Sequence, residues 1–89
     1  MDLQDIRKEL DQVDNQIIEL YFKRMELCSK IAEYKKSHDT GIYDPKREEE
    51  KINSVTAKAS NELDKESLSL LFKLLMDQSK KLQDKLINK

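Results

Sequence analysis

The chain has 89 residues, of which 37% are hydrophobic and 39% are charged. This length allows one domain with a modest core, and a formal net charge of -1 gives no general attraction to nucleic acid or to an anionic membrane. One glycine and one proline leave few breaks in the chain, which favours long helices over many short strands.

The cysteine content and the start of the chain indicate a compartment. Cys28 is the only cysteine, so no disulfide can form within the chain, which is typical of a reducing environment. The residues after Met1 lack the pattern of a signal peptide, and no window approaches the roughly 18 apolar residues of a membrane span. We therefore expect a cytoplasmic protein that binds neither membrane nor nucleic acid.

The first predicted element is one long helix, from about residue 3 to residue 37. Its apolar residues recur every three or four positions, in a pattern close to a coiled-coil seam. These residues are Leu3, Ile6, Leu10, Val13, Ile17, Leu20, Leu27, Ile31 and Tyr34.

The length of this helix predicts a dimer. About 35 residues at about 1.5 Å each give roughly 50 Å, whereas a compact chain of this size spans only about 30 Å. Because an exposed apolar stripe is unfavourable, we expect a second chain to cover it in an intertwined homodimer. The alternative is a bent first helix in a monomeric bundle, although no proline or glycine between Leu3 and Ser37 would cause the bend.

Two shorter helices are predicted after a polar loop that contains the only glycine. Asp44 and Pro45 are typical of a helix N-cap and first position, which predicts a second helix over about 45–60. Asp64 can cap a third helix over about 64–87. The predicted fold is all-α, with one long, one short and one medium helix in a single domain.

Polar residues interrupt the apolar stripes at a few positions. Arg24 stands where an apolar residue is due, and a buried guanidinium needs an anionic partner because it stays charged. Lys35 follows on nearly the same face, about 16 Å along the axis, so the two side chains could converge on one small anion. In the third helix Ser79 interrupts the stripe, and Gln83 follows at i+4 on the same side.

Each of these residues also has an ordinary explanation. A lone arginine in an apolar stripe is more often a snorkelling side chain or half of an ion pair, and a helical serine is usually a small packing residue. Cys28 is expected to be a small buried hydrophobe, since no histidine is placed to activate it. No Cys or His spacing indicates zinc, and no glycine-rich loop indicates a phosphate site. What remains is a set of cations and neutral polar groups suited to holding an anion.

Taken together, residues 1–89 resemble the all-helical (AroQ-type) chorismate mutases as a single domain. The segments that carry the resemblance are I-R-K-E-L-D-Q-V-D from Ile6, Arg24 with Lys35 in I-A-E-Y-K, Y-D-P-K-R-E-E from Tyr43, and Q-S-K-K-L-Q from Gln78. Each segment is weak alone, but four in order with family-like spacing form a specific pattern. Ala32 stands where many members have Gly, and Lys80 where many have Arg. Neither departure is expected to bear on the pocket.

The resemblance implies an enzyme without metal or cofactor that rearranges chorismate to prephenate in phenylalanine and tyrosine biosynthesis. It implies that Arg7 and Arg24 each bind a substrate carboxylate. Lys35 and Gln83 would donate hydrogen bonds to the ether oxygen of the enolpyruvyl group.

The resemblance also implies roles for the start of the second helix and for the third. Glu48 and the backbone of Asp44 would hold the ring hydroxyl, while Arg47 and Ser79 would complete and support the carboxylate contacts. Arg7 and Arg24 are seventeen residues apart, about 25 Å along a straight helix, so they cannot meet in one site. In an antiparallel dimer, Arg7 of one chain can reach Arg24 of the other, which agrees with the family's shared active sites.

Three other functions stay open. An isochorismate–pyruvate lyase has the same fold and a similar anion pocket, but it eliminates pyruvate. A non-catalytic helical interaction module would have Arg24, Lys35 and Gln83 facing solvent rather than one cavity. A sensor of prephenate or of an aromatic amino acid is the third, although the chain offers no spare segment for an allosteric domain.

Overall fold

The computed structural model describes residues 1–88, which form three α-helices. They are α1 (Leu3–Ser37), α2 (Pro45–Thr56) and α3 (Glu62–Ile87), and no strand occurs in this part of the chain. The all-α prediction is therefore confirmed. Helix α3 packs against both α1 and α2, so it is the central element of the fold.

Local capping interactions set the ends of α1 where the sequence predicted them. Asp2 is the N-cap: its side chain accepts the Asp5 N–H at 2.9 Å, and the Asp5 carboxylate accepts the Asp2 N–H at 3.3 Å. This reciprocal pair is a capping box, which satisfies two donors of the first turn. At the other end the His38 N–H donates to the Tyr34 carbonyl at 3.0 Å, and Asp39 then takes a left-handed φ of 51°.

Helix α2 begins as predicted but ends earlier. Asp44 is the N-cap and Pro45 the first helical residue, as expected. The helix ends at Thr56 rather than near residue 60, because the chain tightens after it. The Lys58 and Ala59 N–H groups donate to carbonyls only three residues back, at 3.2 and 3.1 Å, which is the tighter 3₁₀ pattern of many helix ends.

Helix α3 begins two residues before the predicted start, and its N-cap is Asn61 rather than Asp64. The Asn61 side chain accepts the Asp64 N–H at 2.8 Å and donates to the Asp64 carboxylate at 2.9 Å. Asp64 thus occupies the third helical position, where an acidic residue supports the cap and the helix dipole. The sequence prediction therefore assigned the N-cap to Asp64, which instead supports the cap that Asn61 forms.

The single chain buries very little apolar surface. In the described residues, the buried hydrophobic side chains are Cys28, Ala32 and Val55. The apolar stripe of α1 is open to solvent along its whole length, since each of its predicted members exposes between 46% and 64% of its surface. In the single chain, α3 contacts α1, but no hydrophobic core covers the apolar stripe of α1.

The dimensions of the chain show that α1 is not folded back. The principal extents are 55 × 26 × 14 Å, and the radius of gyration is 16.4 Å. A straight helix of this length measures about 52 Å, and a compact chain of this size has a radius near 12 Å. The bent, monomeric bundle is therefore not the structure. None of the three helices, as described over residues 1–88, combines the length and apolarity needed to cross a membrane.

Candidate active site

A pocket of about 380 Å³ lies between α1, the loop before α2, the start of α2, and the second half of α3. Seven of the eight predicted site residues line it. They are Arg24, Lys35, Asp44, Arg47, Glu48, Ser79 and Gln83. Arg24, Lys35 and Gln83 thus face one cavity, whereas in a non-catalytic interaction module they would face solvent.

The residues that line the pocket differ in how deeply they are buried. Ser79 and Gln83 are buried at its base, with exposures of 8% and 5%. Lys35 and Glu48 are half-buried, while Asp44 and Arg47 are exposed at its mouth. Neutral polar groups therefore lie at the closed end, and charged groups approach from the open side.

Arg24 joins α1 to α3 at one wall of the pocket. Its Nη1 donates to the Leu75 carbonyl at 3.3 Å and lies 3.8 Å from the Cys28 Sγ. Both contacts come from one nitrogen, so the other donors of the planar fork can face an anion. The carbonyl that holds Arg24 belongs to the neighbouring helix, which restricts the motion of the long side chain.

Lys35 closes the pocket from the loop side. Its Nζ donates to the Ile42 carbonyl at 2.9 Å. An ammonium carries three donors, and this bond uses one of them while it fixes the position of the charge. The loop before α2 therefore holds the Lys35 ammonium in place without neutralising it.

The start of α2 presents its first turn to the pocket. The Asp44 side chain accepts the Arg47 N–H at 3.1 Å, and the Asp44 carbonyl accepts the Glu48 N–H, also at 3.1 Å. Pro45 restricts the backbone at the first helical position, where its missing N–H has no cost. This cap places Arg47 and Glu48 one after the other at the edge of the cavity.

A chain of hydrogen bonds runs across the base of the pocket. The Gln83 Nε2 donates to the Ser79 Oγ at 2.9 Å, and the Ser79 Oγ donates to the Cys28 Sγ at 2.9 Å. Within residues 1–88, the buried Gln83 Oε1 has no hydrogen-bond partner. An unpaired polar atom in such a place is unfavourable unless a further group meets it, as a ligand or a second chain would.

Two residues that the sequence analysis set aside belong to the pocket. Cys28 is buried as expected, but its sulfur also accepts a hydrogen bond, and its position four residues after Arg24 was the signal that it shares this face. The expectation that the departure at Lys80 would not bear on the pocket is wrong, because Lys80 lines it and pairs with Glu48 at 2.8 Å. Glu48 and Lys80 lie on different helices, so no spacing within one helix could have predicted their ion pair. Ala32 is buried and is not among the lining residues.

The pocket carries an excess of positive charge. Five basic side chains line it, Arg24, Lys35, Arg47, Lys51 and Lys80, against the two carboxylates of Asp44 and Glu48. The lining therefore has a net formal charge of +3. Such a cavity attracts a small dianion more strongly than a neutral or cationic molecule.

Arg7 is the one predicted site residue that does not line the pocket. It is exposed in the second turn of α1. The structure thus places Arg7 away from the other seven residues of its own chain, as the length of α1 requires.

Comparison with known proteins gives matches over most of the chain. The family described as chorismate mutase type II matches residues 6–84. The chorismate mutase of Methanocaldococcus jannaschii is 30% identical over 82 residues, which cover 91% of this chain and 83% of the relative. No solved structure gives a significant match.

Two longer proteins match as well. A bifunctional chorismate mutase/prephenate dehydratase of Buchnera aphidicola subsp. Schizaphis graminum is 35% identical over 91 residues, 99% of this chain. A T-protein of Haemophilus influenzae is 44% identical over 46 residues, 52% of this chain. The chain spans only 23% and 12% of the lengths of these two relatives. Since the family match runs from residue 6 to residue 84, the chain belongs to the chorismate mutase type II family.

Proposed function

We propose that this protein converts chorismate to prephenate. The observation that carries the proposal is the cavity that Arg24, Lys35 and Gln83 line together, with five basic side chains around it. Chorismate bears two carboxylates and an ether oxygen, and it is therefore a dianion of the kind that this pocket attracts.

The chemistry requires no nucleophile from the pocket. Within one molecule, the C–O bond of the enolpyruvyl ether breaks while a C–C bond forms to the ring, and no atom or electron leaves. The protein has to hold the compact conformer in which the reacting carbons are close. It also has to stabilise the negative charge that grows on the ether oxygen.

Lys35 and Gln83 are the groups that we assign to the ether oxygen. The Lys35 ammonium is already held by the Ile42 carbonyl at 2.9 Å, so little reorganisation is needed when charge develops. Gln83 is buried and contributes a neutral N–H donor. Loss of one such preorganised donor typically costs about 3–4 kcal/mol of transition-state stabilisation.

The arginines are the groups that we assign to the two carboxylates. Arg24, held by the Leu75 carbonyl, binds one of them, and Arg7 of a second chain binds the other. A guanidinium suits this task because its planar fork matches a carboxylate. Arg47 and Ser79 complete and support these contacts, and Glu48 with the Asp44 backbone holds the ring hydroxyl.

A second copy of the chain is part of this proposal. An apolar groove of about 710 Å³ lies between α1 and α3, and Arg24 lines both the groove and the pocket. A partner α1 that fills the groove covers the exposed stripe and brings its own polar residues to Arg24. An antiparallel arrangement would deliver the partner's first turns, and with them an arginine, to the pocket.

We also assign the reaction to the cytoplasm. Cys28 is a free thiol, which is typical of a reducing compartment. Two alternatives to the mutase keep the same pocket. A lyase acting on isochorismate would release pyruvate, and a sensor would bind the dianion without turning it over.

The test is the product formed from chorismate by the purified protein. Prephenate is an isomer of chorismate, so NMR of the reaction mixture rather than mass identifies it. Pyruvate release from isochorismate would favour the lyase, and saturable binding without turnover would favour the sensor. Lys35→Ala should remove turnover, while Lys30→Ala, an exposed lysine of the same helix outside the pocket, should not.

A further inference from the structure

Lys80 is held on three sides at the junction of α2 and α3. Its Nζ lies 2.8 Å from the Glu48 Oε1 and 3.5 Å from the Asp77 Oδ1. The same ammonium lies 5.1 Å from the centroid of the Tyr43 ring, within the range of a cation–π contact. These three contacts together make Lys80 a positioned group rather than a solvated surface charge.

The ion pair with Glu48 is partly shielded from water. The two side chains expose 30% and 25% of their surfaces, and both residues line the pocket. The hydrogen bond that Lys80 donates to Glu48 raises the pKa of Lys80, with a smaller contribution from Asp77, so the ammonium stays charged at every ordinary pH. Glu48 therefore always has a cation beside one of its oxygens.

The ion pair gives the two carboxylate oxygens of Glu48 different surroundings. Lys80 contacts Oε1, which restrains that end of the carboxylate. The second oxygen, Oε2, is then the one left to accept a hydrogen bond from a ligand. Lys51 and Arg47 line the same pocket, so without Lys80 the carboxylate of Glu48 would have other cations towards which it could turn.

We propose that Lys80 is a specificity-determining positioning residue, which orients Glu48 so that the pocket selects a substrate with a ring hydroxyl. The inference rests on the proposed function and extends it to a residue outside the assigned contacts. Lys80 acts through Glu48 and is not itself placed on the reacting atoms. It should therefore affect discrimination between substrates more than the rearrangement step.

The experiment compares chorismate with its methyl ether at the ring hydroxyl, which cannot donate a hydrogen bond. Wild-type protein should prefer chorismate, as judged by kcat/KM. Lys80→Met should weaken binding of both dianions, but it should lower kcat/KM for chorismate about tenfold more than for the methyl ether, mainly through KM, so that discrimination falls by that factor. Lys80→Arg, which keeps the charge and can reach the carboxylate, should retain the preference.

Two further variants separate orientation from folding. Glu48→Gln should lose discrimination by itself, and adding Lys80→Met to it should cause little further loss if Lys80 acts through Glu48. Lys81→Met, an exposed neighbour outside the pocket, should match the wild type for both substrates. Circular dichroism checks that each variant is folded.

Several outcomes would overturn the inference. One is a Lys80→Met variant in which kcat/KM falls equally for both substrates, and another is a variant whose discrimination is unchanged. A third is full additivity of the effects of Lys80→Met and Glu48→Gln on discrimination. If the wild type converts chorismate and Lys80→Met discriminates normally, only the inference fails. If the wild type rearranges neither substrate, the proposed function fails and the role of Lys80 falls with it.

Discussion

The Ser79 hydroxyl of α3 donates to the Cys28 sulfur of α1 at 2.9 Å, and this bond connects the two helices at the base of the pocket. The same oxygen accepts the N–H of Gln83 at 2.9 Å. Ser79 is therefore the link between a helix contact and the polar group that we assign to the breaking bond. Its removal should affect both stability and turnover.

Ser79→Ala should destabilise the protein by about 1–3 kcal/mol, because it leaves the buried Gln83 Nε2 without its acceptor. It should also lower kcat about tenfold, since the carboxamide loses its restraint. Urea unfolding and steady-state kinetics measure the two effects. Ser29→Ala is the matched control, because that hydroxyl bonds only to the Met25 carbonyl of its own helix. Equal behaviour of the two variants would contradict the link.

Gln83→Glu should be inactive at neutral pH and should gain activity on acidification. The ordinary pKa of a glutamate is about 4.3, so the new side chain would be an anion facing an oxygen that gains negative charge. A protonated carboxyl can donate instead, so activity should rise as the pH falls. The measurement is kcat/KM against pH for both proteins, over a range in which each stays folded by circular dichroism. A variant with the wild-type profile would mean that Gln83 does not face the breaking bond.

Arg7→Ala and Arg24→Ala should each abolish nearly all turnover, yet their mixture should recover part of it. In a mixed dimer one site takes both arginines from unmutated positions, while the other site carries both substitutions. Random exchange of subunits by co-refolding should therefore restore about a quarter of wild-type activity. Refolding each variant alone is the control. A mixture as inactive as its parents would show that Arg7 does not act across an interface.

Ile17→Lys should disrupt the dimer. Ile17 exposes 57% of its surface in the single chain and lines the apolar groove, so two lysines would be buried in each assembly. Loss of the two isoleucine contacts should cost about 3–6 kcal/mol. Sedimentation at micromolar concentration should show twice the chain mass for the wild type and less for the variant. Asn15→Lys, which lies off the apolar stripe, is the control, and a wild-type monomer would refute the shared site.

The ion pair of Lys80 with Glu48 should contribute a small stability that disappears at high pH. The pKa of Lys80 is raised above its ordinary value of 10.5, so the folded state binds this proton more tightly than the unfolded state does. The contribution is therefore full below about pH 10.5 and is lost as the pH rises through the raised pKa.

At neutral pH the Lys80→Met variant should be less stable than the wild type by about 0.5 kcal/mol, the usual size of a solvent-screened pair. The difference should shrink above pH 10.5. Denaturant unfolding at several pH values measures it, and Lys81→Met corrects for the loss of one positive charge. A difference that stays constant or grows with pH would contradict the assignment.

Local sequence determined the helices and predicted part of the candidate site, whereas the site roles of Arg7, Asp44, Arg47 and Glu48 came from the family resemblance. The capping residue Asp44 and the regular apolar spacing of α1 act over three or four residues, so they can be recognised without knowledge of the fold. Arg24 was recognisable for the same reason, because it breaks a regular pattern. The length of α1 and its open stripe also indicated that the single chain has no complete core.

Only the tertiary structure decided which side chains meet across helices. The partner of Glu48 is Lys80, 32 residues away, and the partner of Ser79 is Cys28, 51 residues away. Lys35 is held by a carbonyl in a loop, a group that has no side-chain signature in the sequence. Such contacts depend on the angle and the rotation at which α3 packs against α1 and α2. These are set by the sum of many weak contacts along the helices, and no short stretch of residues encodes them.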